Sequence, residues 1–152
     1  MIKIICVGKI KEQYWKDALS EYLKRLSKYT KIEIIELEDD GSDDETKTLN
    51  TEKSSILNNI KQHDYVIALD IDGVMYDSCS LSTKINSLLI EGHSDITFVI
   101  GGSYGLHDDV KQKANMRLSF SKLTFPHQMF RVILLEQIYR SFKIINNETY
   151  HK

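Results

Sequence analysis

Short apolar runs recur along this chain with helix-like stretches between them, and that alternation narrows the possible folds more than any other feature. The runs are residues 3–7, Ile32–Leu37, residues 65–69, Ile96–Ile100 and a weaker one at 118–120. They are nearly continuous in β-branched and aromatic residues, as strands covered on both faces must be. The stretches between them follow the helical period. Trp15, Ala18, Leu19, Tyr22 and Leu26 form one apolar stripe, with charged residues elsewhere, which predicts an amphipathic helix packed on a sheet. A polar helix is expected over 46–60. A third, with Ser80 or Ser82 as N-cap, should bury Ile85, Leu88 and Leu89 and stop at Gly92. A short helix at Asp108–Lys113 and a long one over 126–145, with Pro126 in its first turn, complete the pattern. Strands alternating with helices predict an α/β fold with a mostly parallel sheet.

A length of 152 residues fits one domain, 1–152, with one compact core. Cys6 lies in an apolar run and Cys79 far from it, without paired metal-ligand spacing, so neither a disulfide nor a zinc site is expected. The first eight residues are too soon interrupted for a signal peptide, and no stretch reaches the length of a membrane span, so a cytoplasmic location is expected.

Charge is unevenly placed. Residues 1–31 hold eight Lys or Arg against three acids, while residues 33–72 hold twelve acids against three lysines. Nucleic-acid binding needs a basic face rather than a basic total, and the N-terminal segment could supply one. The alternative is that Lys9, Lys11, Lys16, Lys24, Arg25 and Lys28 only solvate a helix. The acidic loop 38–45 is assigned no function. In the last helix Met129, Phe130, Val132, Ile133, Leu134, Leu135, Ile138, Tyr139, Phe142 and Ile144 spread around most of the circumference. One sheet face cannot cover them all, which predicts a second burial surface, most simply in a symmetric homodimer.

Two segments suggest chemistry without settling it. Gly101, Gly102 and Gly105 follow a buried strand, so in a parallel sheet they lie at the carboxyl edge where ligands bind; their spacing is not that of a dinucleotide site. Asp70 and Asp72 also follow an apolar strand and resemble the first motif of haloacid-dehalogenase-type phosphatases. In that reading Asp70 is a nucleophile, Ser103 a phosphate ligand, and Asp108 with Asp109 a magnesium pair. The expected lysine before the acidic pair is missing, and two strands and two helices precede the aspartates.

A more specific signal runs through the whole chain: Val-Gly-Lys-Ile-Lys at 7–11, Glu-Tyr-Leu-Lys-Arg at 21–25, Ala-Leu-Asp at 68–70 and Phe-Val-Ile-Gly-Gly at 98–102 with Gly105. It continues with Ser-Phe-Ser-Lys-Leu-Thr-Phe-Pro-His-Gln at 119–128, then Arg131, Glu136, Gln137, Tyr139, Arg140 and the tail Tyr150 and His151. With these segments in this order the chain resembles the bacterial ribosomal RNA large subunit methyltransferase H family, whose members methylate N3 of a pseudouridine in 23S ribosomal RNA. Asp72 and Val74 depart from the family's pattern. The resemblance implies a SPOUT-type parallel-sheet fold with a C-terminal trefoil knot and S-adenosyl-L-methionine as cofactor. It implies cofactor contacts at Leu69, Gly101, Phe120, Ser121, Lys122, Leu123, Thr124 and Phe125. The implied partner is 23S ribosomal RNA, on assembled ribosomes.

Methylating an imide nitrogen requires an aligned displacement and loss of the N3 proton. His151 is the favoured base, with Tyr150 stacking on or orienting the target base and Arg131 facing RNA phosphate or the partner subunit. The alternatives are a frayed tail for Tyr150 and His151, an intrahelical ion pair for Glu136 and Arg140, and a structural role for His127. A non-catalytic RNA-binding module is the third reading.

Overall fold

The computed structural model describes residues 1–152. Five strands alternate with five helices: β1 (Ile2–Val7), α1 (Gln13–Leu26), β2 (Ile32–Leu37), α2 (Glu45–Asn59), β3 (Tyr65–Met75), α3 (Ser78–Ile90), β4 (Ile96–Ile100), α4 (Asp108–Lys113), β5 (Met116–Ser119) and α5 (His127–Ile145). All strand pairs are parallel, in the order β2-β1-β4-β3-β5. The α/β class and the parallel sheet are as the sequence pattern predicts.

The continuous apolar runs are explained by burial on both faces. In β1, Ile2, Ile4 and Cys6 point into a core shared with α1, α3 and α5, while Ile5 and Val7 point into a second core with α2 and α4. Because side chains alternate across a strand, both sets are largely apolar, and the one charge among them, Lys3, is buried in an ion pair with Asp64 at 2.9 Å. No helix is long and apolar enough to cross a membrane.

Of the residues α3 is expected to bury, Ile85 and Leu88 are buried but Leu89, one position further round the helix from Leu88, is exposed. Three further local expectations are corrected. First, α3 is capped by Asp77, whose carboxylate accepts from the Ser80 N–H at 2.7 Å, not by Ser80 or Ser82. Second, Pro126 is the N-cap of α5 rather than a member of its first turn. Third, β3 does not stop at residue 69. Leu69 and Val74 both register with Leu118, so residues 70–73 bulge out before pairing resumes. Glycine is required at the end of that bulge: a Cβ on Gly73 would stand 2.7 Å from the Arg117 carbonyl.

The helix α5 packs against both α1 and α3, and Leu134, Leu135, Ile138 and Phe142 are buried in that contact. No residue of α5 is exposed, so much of its apolar circumference is already covered within one chain. The exposed large apolar residues lie elsewhere: Ile71, Val74, Met75 and Tyr76 in and just after β3, Leu123 in the loop before α5, and Tyr14, Leu89, Ile90 and Tyr104.

Candidate functional site

At the carboxyl edge of the sheet the bulge within β3 and the loops after β4 and β5 line a cavity of about 520 Å³. That volume lies in the range of roughly 300–1,000 Å³ typical of small-molecule sites. Of the positions implied as cofactor contacts, Leu69, Gly101, Phe120, Ser121, Leu123, Thr124 and Phe125 line it, and Lys122 does not. Segments far apart in sequence thus converge on one cavity.

Each wall has a local cause. After β4 the chain folds back tightly: Gly102 and Gly105 form an antiparallel bridge, and the Gly105 N–H donates to the Gly102 carbonyl at 3.0 Å. Gly105 takes φ +78°, and a Cβ on Gly101 would meet the Gly105 carbonyl carbon at 2.6 Å and its oxygen closer still. Glycine at 101 is therefore needed to close the turn itself, before any ligand is considered. After β5, the Ser121 hydroxyl oxygen accepts from the Leu123 N–H at 2.9 Å and shapes the loop. Phe130, from the first turn of α5, meets Phe120 edge-on at 5.1 Å and Phe125 in a stacked arrangement at 6.0 Å. These rings make an apolar wall beside a rim of backbone polar groups, which suits a planar heterocycle carrying polar substituents.

Two ionisable residues in the cavity stand out. Asp70 is buried; its Oδ1 accepts from the Asp72 N–H at 3.1 Å, and its Oδ2 lies 3.6 Å from Arg117 and 3.7 Å from Lys111 without a hydrogen bond. His127 is held below the usual histidine range, first by burial and then by the Arg131 charge. It is the first residue of α5, where the helix dipole also disfavours a cation. The phosphatase arrangement is not formed. Asp70 and Ser103 share the cavity, but Asp108 and Asp109 do not line it, and Asp109 pairs instead with Lys53.

The expected outward-facing Arg131 is corrected. It is 1% exposed, and its guanidinium donates to the Val7 and Gly8 carbonyls at 2.9 and 2.7 Å and to Glu36 at 2.9 Å. It ties α5 to the carboxyl end of β1. These bonds occupy three of its five N–H donors, and its Nε is buried without a partner.

The tail is docked on α5. Tyr150 stacks on Tyr139 at 4.9 Å, lies under Arg140 at 4.8 Å and donates its hydroxyl to Glu136 at 3.2 Å. Arg140 also pairs with Glu136, as the i,i+4 spacing suggests. The His151 Nδ1 lies 3.0 Å from Arg140 Nη1. Because a guanidinium only donates, that nitrogen is the acceptor and the ring proton sits on Nε2. Neither Tyr150 nor His151 lines the large cavity. Instead, His151 is within electrostatic reach of Asp77, which lines a second cavity of about 360 Å³. The two cavities share Leu118, Phe120 and Phe125.

Comparison with known proteins gives a class to this parallel α/β sheet and the cavity at its carboxyl edge. The family described as "Predicted SPOUT methyltransferase" matches residues 1–151. A Streptococcus uberis protein named ribosomal RNA large subunit methyltransferase H is 52% identical over 157 residues, covering 99% of each chain. A Methanococcus vannielii protein, provisionally given the same name, is 54% identical with 99% of each chain covered. In fold, the chain is similar to a methylase family protein from Haemophilus influenzae, with a TM-score of 0.57 at 13% identity, covering 99% of this chain and 70% of that one. The chain belongs to the SPOUT methyltransferase family, and it is an enzyme of that type.

Proposed function

We propose that this methyltransferase transfers the methyl group of S-adenosyl-L-methionine to N3 of a pseudouridine in 23S ribosomal RNA, on assembled ribosomes, as a cytoplasmic homodimer with the knotted threading of its class. The observation that carries this reading is the cavity at the carboxyl edge. Its turn leaves no room for a Cβ at Gly101 or Gly102, and its aromatic wall suits an adenine ring. The residues present therefore fit the cofactor. When bound, its sulfonium supplies an activated methyl group.

The chain's own contribution is placement and proton removal. Leu69, Gly101, Phe120, Ser121, Thr124 and Phe125 hold the donor. Lys9 and Lys11 line a groove that adjoins the cavity at Gly102 and His127, where they can take phosphates of the RNA. Tyr150 and His151 act on the target base from the side of the second cavity. To accept the N3 proton, the His151 ring must give up Arg140 at Nδ1, so entry of the base exchanges one partner for another. His127, held neutral in the cavity, is the alternative acceptor. The dimer surface in this reading is the exposed apolar group Ile71, Val74, Met75 and Leu123 rather than the flank of α5. Titration calorimetry with S-adenosylmethionine tests the reading: saturable binding of one molecule per chain is expected, and no binding at millimolar donor contradicts it.

A further inference from the structure

Glu52 lies near the middle of α2, is 2% exposed, and has no hydrogen-bond partner on either carboxyl oxygen. A buried carboxylate without donors loses its hydration and regains nothing. Burial pushes its pKa up to about 7, and the charges of Asp39 and Asp40 act in the same direction. An apolar side chain would fill this place at less cost. What the carboxyl touches gives the position a use: a Cβ on Gly102 would meet Glu52 Oε1 at 2.8 Å and Oε2 at 3.0 Å. The carboxyl thus backs the glycine turn whose other side walls the donor cavity. One helical turn earlier, the buried Thr48 hydroxyl lies within donating distance of Asp40 and the Ser42 carbonyl, fixing the acidic loop beside it.

We propose that Glu52 is a positioning residue for the methyl donor: its carboxyl supports the 101–105 turn from behind and, when ionised, is the counter-charge to a cationic donor in front. The inference rests on the donor-cavity reading above. S-adenosylmethionine carries a net positive charge from its sulfonium, whereas its demethylated product is a thioether without that charge. A cation across the turn favours the ionised carboxyl, so by linkage the ionised protein binds the cation more tightly. Donor affinity therefore rises with pH through neutrality, donor binding releases a proton, and both effects are weaker for the product. Loss of the sulfonium charge on transfer then favours exchange of product for fresh donor. The other charged or titratable groups near the turn are Glu38, Asp39 and Asp40 on the acidic loop, and Asp70, Asp72, Tyr104, Lys111 and His127 in the cavity. His127 is held below its usual range and so acts at the acid end of the window.

The test is titration calorimetry of the full-length protein with S-adenosylmethionine and with S-adenosylhomocysteine, between about pH 6 and pH 8, in two buffers of different ionisation enthalpy. The wild type should gain on the order of fivefold in donor affinity across that range and release more protons with donor than with product. Glu52→Gln, with an unchanged circular dichroism spectrum, should keep only the dependence due to His127 and to the ligand's amino group. An equal pH slope in Glu52→Gln and wild type overturns the inference. Should the variant fail to fold, the wild type alone decides, because equal proton release with the two ligands also overturns it. If the wild type binds neither ligand at any pH, the donor-cavity reading fails first and takes this inference with it.

Discussion

Replacing Arg131 by alanine separates a structural duty from a catalytic one. The guanidinium makes three charge-assisted hydrogen bonds, to the carbonyls of Val7 and Gly8 and to Glu36. Bonds of this kind contribute about 1.5–3 kcal/mol each. The sum is an upper bound, because the charged group is desolvated and its Nε has no partner. Glu36 is exposed, can rehydrate, and keeps the Ile10 N–H at 2.8 Å. The carbonyls at the end of β1 have no such recourse. Loss of one member of a buried ionic network costs about 3–5 kcal/mol. For a chain of this size that lowers Tm by roughly 6–20 °C. Arg131→Lys should recover only part of the loss, since a single ammonium cannot reproduce the planar fork. Urea unfolding followed by circular dichroism gives the magnitude, and calorimetry gives donor affinity on the folded fraction. An Arg131→Ala protein within about 1 kcal/mol of wild type that has nevertheless lost methyl transfer would refute this reasoning and return Arg131 to the reacting partners.

Gly101→Ala should cost about 1–3 kcal/mol of stability through its clash with the Gly105 carbonyl and weaken donor binding at least tenfold, both read by calorimetry. Deleting residues 150–152 should leave donor binding intact and abolish methyl transfer to ribosomes; near-normal transfer would move the search for the base inward to His127, Asp70 or Glu136. Glu52→Gln should stabilise the protein above neutral pH. The folded-state pKa of Glu52 is raised from 4.5 to about 7, so the wild type loses stability as pH rises between those values. By pH 8 relief of that penalty should reach on the order of 1–3 kcal/mol in urea unfolding, and an unchanged midpoint would contradict it.

Periodicity located the strands and most helix limits because burial on both sheet faces leaves a direct mark on residue order. It missed the extension of β3 because the bulge 70–73 carries two aspartates and a glycine, which interrupt the apolar run that signals a strand. The cap of α3 is ambiguous in the sequence for a related reason: Asp77 and Ser80 are equally good capping residues, and only the fold shows that the Ser80 N–H is the donor. Of the cavity-lining residues, Gly101, Phe120, Ser121, Leu123, Thr124 and Phe125 lie in continuous motifs. Glu52 was not, since a lone glutamate in a polar helix carries no mark that distinguishes a buried face from a solvated one. Arg131 and Leu134 show the same limit in α5. With apolar residues on nearly every side, the pattern cannot say that Leu134 faces the core and Phe130 the cavity.

The most direct test of the central claim is nucleoside mass spectrometry of 23S ribosomal RNA after incubating ribosomes that lack the modification with the purified protein and isotopically labelled S-adenosylmethionine. The account predicts labelled N3-methylpseudouridine at a single position. Label on another nucleoside, or none on RNA under conditions where the protein binds the donor, would contradict it.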